Sequence, residues 1–257
     1  HSLEVFFAEN PQAADKIIAQ ILVNKRARES AESARVSSKK KLTATLDINN
    51  TVEKFVGCRL RDPNKCELYI VEGDSALTSC KLARNAEFQA IIPVRGKTLN
   101  CLKASFDRIM KSDIILDLIK VIGCGVEAKQ LKAKGVSTFD LGSLRWDKII
   151  ICTDADEDGY QIRTLILTMF YRLLPTLIKE GRIYIAETPL YQINCGDDTM
   201  FAYSEAEKLS VLEKLGDKKH TIQRSKGLGE NDADMMSLTT MNPATRKLVR
   251  ISPEDEA

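Results

Sequence analysis

The 257-residue chain has two histidines, and no pair among its seven cysteines is spaced C-x-x-C. A zinc site built from the usual His and Cys ligands has too little to work with. The odd cysteine count argues against a closed disulfide framework and for reduced, buried thiols in a cytoplasmic protein. No apolar run reaches the length of a membrane helix, and no secretory leader is visible, so no membrane partner is expected. An excess of one charge is also missing. Lys and Arg number 38 against 36 Asp and Glu, for a formal net charge of +2. Composition therefore carries no nucleic-acid signal, and any basic surface has to be local. The chain opens at "HSLEVFF" without an initiator Met, which reads as a piece of a longer protein.

What remains is the composition of a soluble globular protein, with 44% hydrophobic and 29% charged residues. The length suffices for one large domain or two small ones. Residues 11 to 41 read as a helix, apolar at Ile17, Ile18, Ile21 and Leu22 and then fading into a solvated, partly basic face. Residues 42 to 65 read as loop. Leu68 to Val71 is a buried strand, and Glu72-Gly73 turns into a helix through Arg84, capped by Asp74 or Ser75. "FQAIIPV" is a second strand, ended by Pro93, and "DKIIIC" a third. Helical spacing of Ile162, Leu165, Ile166, Met169, Phe170 and Leu173 marks a strong helix that Pro175 kinks or ends. Gly181 closes it, and "RIYIAE" is a fourth strand. Strand and helix alternate, which predicts an α/β fold with a small parallel sheet covered by helices. Residues 195 to 257 are polar and read as irregular.

The chemistry concentrates in "TDADEDG", residues 153 to 159, where Asp154, Asp156 and Asp158 follow an apolar strand. A calcium EF-hand loop fits poorly, because position 12 is Leu165 where a bidentate Glu is needed, and because the cluster follows a strand. A solvated acidic turn is the plain alternative. Three acids at the carboxyl end of a buried strand favour a magnesium site for phosphate chemistry, since open parallel sheets collect ligands there. Glu72 also ends a strand and is followed by Gly and a helix, so adjacent parallel strands would set Glu72 beside Asp154. "RGKT" at 95 to 98 is not a P-loop, because Ile91 stands where the first glycine belongs. Arg95 and Lys97 could instead face a phosphate backbone. "QRSKGLGEN" is a second basic loop, in which glycines permit close backbone approach.

Five stretches stand in one order: "VEGDSA", "IIPVRGKTLN", "TDADEDG" with "IRTL", "IYIAETPLY" and "QRSKGLGE". Together they resemble the B subunits of bacterial type IIA DNA topoisomerases, the gyrase and topoisomerase IV type, over roughly residues 66 to 247. The resemblance implies a Toprim fold over 66–194. It further implies the end of a transducer region with a long helix and linker over 1–65, and an irregular tail carrying the KGLGE motif over 195–257. It implies that Glu72, Asp154 and Asp156 hold a catalytic Mg²⁺, and that Asp158 joins Asp156 at a second position. Mn²⁺ or Ca²⁺ can substitute there. The partners implied are double-stranded DNA and an A subunit in an A2B2 heterotetramer. A tyrosine of the A subunit attacks a phosphodiester reversibly, and Glu72 is a candidate general acid for the 3′ oxygen. Arg95, Lys97, Thr98 and Lys226 are the implied DNA contacts, and Asp74 with Arg95 edges the pocket of cleavage-stabilising drugs. ATP acts only through a domain missing from this chain, which by itself is expected to be inactive. Other Toprim enzymes, nucleases and primases, share the acids but not "KGLGE" or "RGKTLN"; a non-catalytic acidic cation-binding module is a further rival. Leu77 and Thr78 replace two glycines common in the family, residues 55 to 66 depart from its usual early loop, and the stretch around 126 to 140 is longer than usual.

Overall fold

The computed structural model describes residues 7, 9–26, 28, 52–127, 137–225 and 227–256. The chain divides into two compact units, residues 1–50 and 51–257. In the first, residues 11–26 are helical, and Ile17, Ile18, Ile21 and Leu22 are exposed. The part of that helix expected beyond residue 28 lies outside the described residues.

The second unit is built on a five-stranded sheet. Its first half comprises β1 (Glu67–Glu72), α1 (Gly73–Ala83), β2 (Gln89–Val94), α2 (Phe106–Ile109) and α3 (Asp113–Ile122). The next elements are β3 (Lys148–Cys152), α4 (Glu157–Leu173), α5 (Pro175–Lys179) and β4 (Ile183–Glu187). A small antiparallel sheet follows from β5 (Tyr191–Cys195), β6 (Asp198–Ala202) and β7 (Thr221–Arg224), with α6 (Glu205–Leu215) between its last two strands in sequence. The chain ends in α7 (Ala233–Met236), a π-turn over Ser237–Met241, and β8 (Lys247–Arg250).

The large sheet has the order β2-β1-β3-β4-β8. β1 to β4 are parallel, and β8 runs antiparallel against β4. Parallel strands buried on both faces read as continuous apolar runs, and "LYIV" and "KIIIC" are such runs. Leu68, Tyr69, Ile70, Ile149, Ile150 and Ile151 are fully buried. β2 continues one residue past Pro93, where the sequence suggested a stop. It lies at the edge of the sheet, where a missing N–H is tolerated. Between β2 and β3 the chain forms two separate helices, α2 and α3, and Gly123 caps the second in the left-handed conformation. α4 ends at Leu173, and Pro175 starts α5 as its first residue, where a proline costs nothing.

The segment expected to be an irregular tail is regular and joins the core. β7 is exposed along its length and β8 is four residues long, so neither shows the apolar alternation that marks a strand in sequence. Yet Leu228, Met236 and Met241 are buried among Tyr69, Val71, Ile91, Ile150 and Cys152 on one face of the large sheet. Near the amino end of β1, the buried Glu67 carboxylate takes both guanidinium arms of Arg246, at 2.6 and 2.5 Å. The carboxyl-terminal segment is thus one wall of the core. Met236→Ala should lower unfolding stability by about 2–5 kcal/mol, the cost of truncating a buried methionine. Chemical denaturation checks this; an unchanged midpoint would show the segment to be a detachable tail.

Candidate functional site

The in-register pairing of β1 with β3 places Val71 opposite Cys152. One step further the acids begin: Glu72 is the last residue of β1, still paired with Val94 of β2, while β3 has ended at Cys152. The Glu72 side chain accepts a hydrogen bond from the Asp154 N–H at 3.1 Å. The Asp154 carboxylate accepts one from the Leu228 N–H at 2.7 Å. Asp156 caps α4, its carboxylate accepting from the Gly159 N–H at 2.8 Å. Three carboxylates are therefore each held by one backbone amide. The expected juxtaposition of Glu72 with Asp154 is present. Asp158 sits in the first turn of α4, exposed, and forms an ion pair with Lys97 at 2.9 Å.

Two glycines make this packing feasible. A Cβ on Gly159 would lie 2.1 Å from the Asp154 carbonyl oxygen, so any side chain there forces the acidic turn apart. A Cβ on Gly227 would lie 2.9 Å from Asp154 Oδ2. The sequence flagged the second loop as a place for close backbone approach. The structure shows what the described part approaches: the Asp154 carboxylate.

The electrostatics are those of crowded acids. Burial raises the Glu72 carboxyl above the ordinary range; the Asp154 N–H opposes this, while the negative Asp154, Asp156 and Asp158 add to it. Burial likewise raises Asp154, against the Leu228 N–H and with help from Asp156 and Glu230. Such a site gains by taking up positive charge.

The donor set suits Mg²⁺, a hard cation that takes carboxylate oxygens. Among the described residues, no group of three or more His, Cys, Asp or Glu side chains is arranged to hold a metal ion by itself. Mg²⁺ does not require one, because it is usually held by one or two carboxylates together with water and phosphate oxygens. Each of Glu72, Asp154 and Asp156 keeps a second oxygen that takes no hydrogen bond from the described residues. The residues fit the ion.

The remaining candidates sit around this cluster. Arg95 reaches Asp74 at 3.3 Å and Glu53 at 3.4 Å, all on the surface. Asp74 lies inside the first turn of α1 rather than at its cap, which Glu72 occupies without a side-chain bond. Lys54 also pairs with Asp74, a contact the sequence reading missed because residues 42 to 65 carried no pattern. Lys54, then Arg95, hold the Asp74 carboxyl below its usual value. Thr98 is 8% exposed, and its hydroxyl has no hydrogen-bond partner among the described residues. Lys226 lies outside the described residues, as do 128–136 of the unusually long stretch. All seven cysteines are free; Cys58 and Cys195 are half-buried and the rest buried. No helix among the described residues is long and apolar enough to cross a membrane.

Crowding has a measurable sign. Glu72 and Asp154 have raised native pKa values, so the metal-free native chain binds more protons than the unfolded one just above the ordinary carboxylate range. Stability is lost as pH rises through that window, from about pH 4 upward. In chelator, Asp154→Asn should therefore be at least as stable as wild type at pH 7, and its advantage should shrink on acidification to about pH 4. Asn keeps the oxygen that accepts from Leu228. Thermal melts of both proteins at the two pH values check this, and a variant less stable by the same margin at both would contradict it.

Residues 67–188 match the family model described as Toprim domain. Residues 217–257 match that described as DNA gyrase B subunit, carboxyl terminus. The chain is 44% identical to the DNA gyrase B subunit of Thermotoga maritima over 253 residues, which is 98% of this chain and 38% of that protein. It is 42% identical to the DNA gyrase B subunit of Clostridium acetobutylicum over 255 residues, 98% of this chain and 38% of the relative. With that of Halalkalibacterium halodurans it shares 43% over 251 residues, 97% of this chain and again 38% of the relative. The chain thus spans a little over a third of the length of the relatives it matches. The sheet with acids gathered at its carboxyl end lies within the Toprim match, the segment that completes it lies within the gyrase B match, and over nearly its whole length the chain is similar to one part of DNA gyrase B subunits.

Proposed function

We propose that this chain supplies the metal and part of the DNA-backbone grip for reversible double-strand DNA cleavage and religation, in which a tyrosine of a separate A subunit attacks the phosphodiester. The observation that carries this reading is the hydrogen-bonded meeting of Glu72 and Asp154 at one sheet edge, with like charge from Asp156 and Asp158 beside it. Glu72, Asp154 and Asp156 would hold a catalytic Mg²⁺, and Asp156 with Asp158 a second. Bound there, the ion supplies stabilisation of charge developing on phosphate and leaving oxygen. Backbone amides hold Glu72, Asp154 and Asp156 in place without neutralising them. Glu72 is also a candidate general acid, which would give a proton to the departing 3′ oxygen on cleavage and take it back on religation.

Arg95, Lys97 and Lys226 would contact DNA phosphates without reading bases, as an enzyme acting at many sites requires. In the structure Arg95 and Lys97 pair with surface carboxylates, so phosphate would replace Asp74, Glu53 and Asp158 as their partner. Thr98 lies buried, and its contact with DNA would need the loop to lift. Asp74 with Arg95 would form this chain's edge of a drug pocket. The whole assembly would be a cytoplasmic A2B2 heterotetramer, with ATP turnover in a part of the B subunit outside this chain. The seven free thiols suit a reducing compartment. The relatives' names favour gyrase over topoisomerase IV. The match over 217–257 disfavours a Toprim nuclease or primase.

In enzyme reconstituted from the full-length B chain and its A subunit, Asp154→Asn should cut plasmid cleavage by at least about tenfold, with partial rescue at raised Mg²⁺. Asp158→Asn should be milder. Wild-type cleavage by Asp154→Asn at low Mg²⁺ would remove the acidic cluster from the chemistry. The same preparation should supercoil relaxed plasmid if it is a gyrase.

Arg95→Ala should weaken the cleavage complex and reduce the slope of log affinity against log salt by about one, the loss of a single phosphate contact. An unchanged slope and cleavage yield would place this loop away from DNA.

A further inference from the structure

Residues 228–246 form a strap fastened at two points far apart on the large sheet. One end is at the acidic cluster, where the Leu228 N–H donates to Asp154 at 2.7 Å. The other is near the amino end of β1. There Arg246 donates to both Glu67 oxygens, at 2.6 and 2.5 Å, and to the Tyr69 hydroxyl at 2.9 Å. Gln89 joins this cluster, donating to Glu67 at 3.1 Å and to the Met241 carbonyl at 2.8 Å. Tyr69 donates to the Thr240 carbonyl at 3.0 Å. Between the fastenings, Leu228, Met236 and Met241 are buried in the core. The π-turn is closed by the Asn242 N–H on the Ser237 carbonyl at 3.0 Å.

Apolar burial alone would keep such a strap docked. It would not fix how far the strap slides along the sheet, because hydrophobic contact has no direction. The cluster around Glu67 is directional. Both side chains of the pair are 6% exposed, and the guanidinium fork matches the carboxylate on two bonds. A buried pair of this kind adds little stability over apolar residues of the same volume, so a role in register accounts for it better. Glu67 begins the strand that Glu72 ends, about 16 Å away at the usual rise per residue. The same strand thus carries the anchor of the strap at one end and a member of the acidic cluster at the other.

We propose that Glu67 and Arg246 are positioning residues for the acidic site: they set the register of the strap, and the strap delivers the Leu228 N–H that orients the Asp154 carboxylate. Neither touches metal or substrate. The consequence for metal binding rests on the reading of Asp154 as a Mg²⁺ ligand; the consequence for the Leu228 hydrogen bond does not.

The test uses the full-length B chain with two variants. Glu67→Gln/Arg246→Met removes both charges at similar volume, and Arg246→Lys keeps the charge but not the fork. Hydrogen exchange in chelator, read in peptides spanning 225–232, should quicken at Leu228 by about tenfold in the double variant, as expected for loss of a hydrogen bond to a charged group. It should quicken less in Arg246→Lys, while β3 peptides keep wild-type protection. If the double variant loosens β3 as well, Arg246→Lys gives the reading. In reconstituted enzyme, the Mg²⁺ concentration for half-maximal cleavage should rise about tenfold, the usual cost of losing a group that orients a ligand, with the maximal rate largely kept. Folded variants with wild-type exchange at Leu228 and wild-type Mg²⁺ dependence overturn the proposal. The control Asp154→Asn separates the two levels. If it leaves Mg²⁺ dependence unchanged, the metal reading fails, and the exchange data still decide whether the strap is positioned from Glu67.

Discussion

Two parallel strands in register end together, and each continues into a carboxylate. That constraint organises the molecule. Val71 pairs with Cys152, so the next residues out, Glu72 on one strand and Thr153-Asp154 on the other, must share a small volume at the sheet edge. Like charges in partial burial repel. The chain answers with backbone amides: Asp154 on Glu72, Leu228 on Asp154 and Gly159 on Asp156. Dipoles hold the acids in place but leave the negative charge intact. Cations stand one step outside, Lys97 on Asp158 and Lys54 with Arg95 on Asp74. The result is a negative centre with a positive surround, a distribution that suits a phosphate backbone lying across the acidic cluster.

The carboxyl-terminal segment is the second half of that solution. Its loop donates the amide that Asp154 needs, and its apolar residues cover the sheet face beneath Tyr69 and Val71. Glycine at 227 lets the loop run close to that carboxylate, since a Cβ there would lie 2.9 Å from Asp154 Oδ2. The segment completes the site as well as the core, which explains how a stretch with few apolar residues is nonetheless fixed in place.

Much of this was legible in the residues. Unbroken apolar runs gave β1 and β3, and acids immediately after each gave the meeting of Glu72 with Asp154. Helical spacing from Ile162 to Leu173 gave α4, and Pro175 its end. What was not legible depended on partners distant in sequence. The four-residue β8 becomes a strand only because β4 offers it an edge, and its side chains carry no alternation. The polar segment hides its anchors, Met236 and Met241, among threonines and asparagines. Arg246 reads as one more surface cation until Glu67, 179 residues earlier, is found beneath it. The glycine loop announced close approach but not its target, since a glycine records that something comes near and not what. Lys54 on Asp74 arose from a stretch with no periodicity at all.

The central claim is that the acids at the ends of β1 and β3 form the metal site, held ready by amides from the acidic turn and the strap. The most direct measurement is paramagnetic broadening of backbone amide resonances as Mn²⁺ is titrated into the metal-free B chain. Broadening at the lowest Mn²⁺ should fall first on residues 72–73, 153–159 and 227–229, which are far apart in sequence and meet only at this edge, and excess Mg²⁺ should reverse it. Early broadening centred elsewhere, with these three segments untouched until Mn²⁺ is in large excess, would contradict the claim.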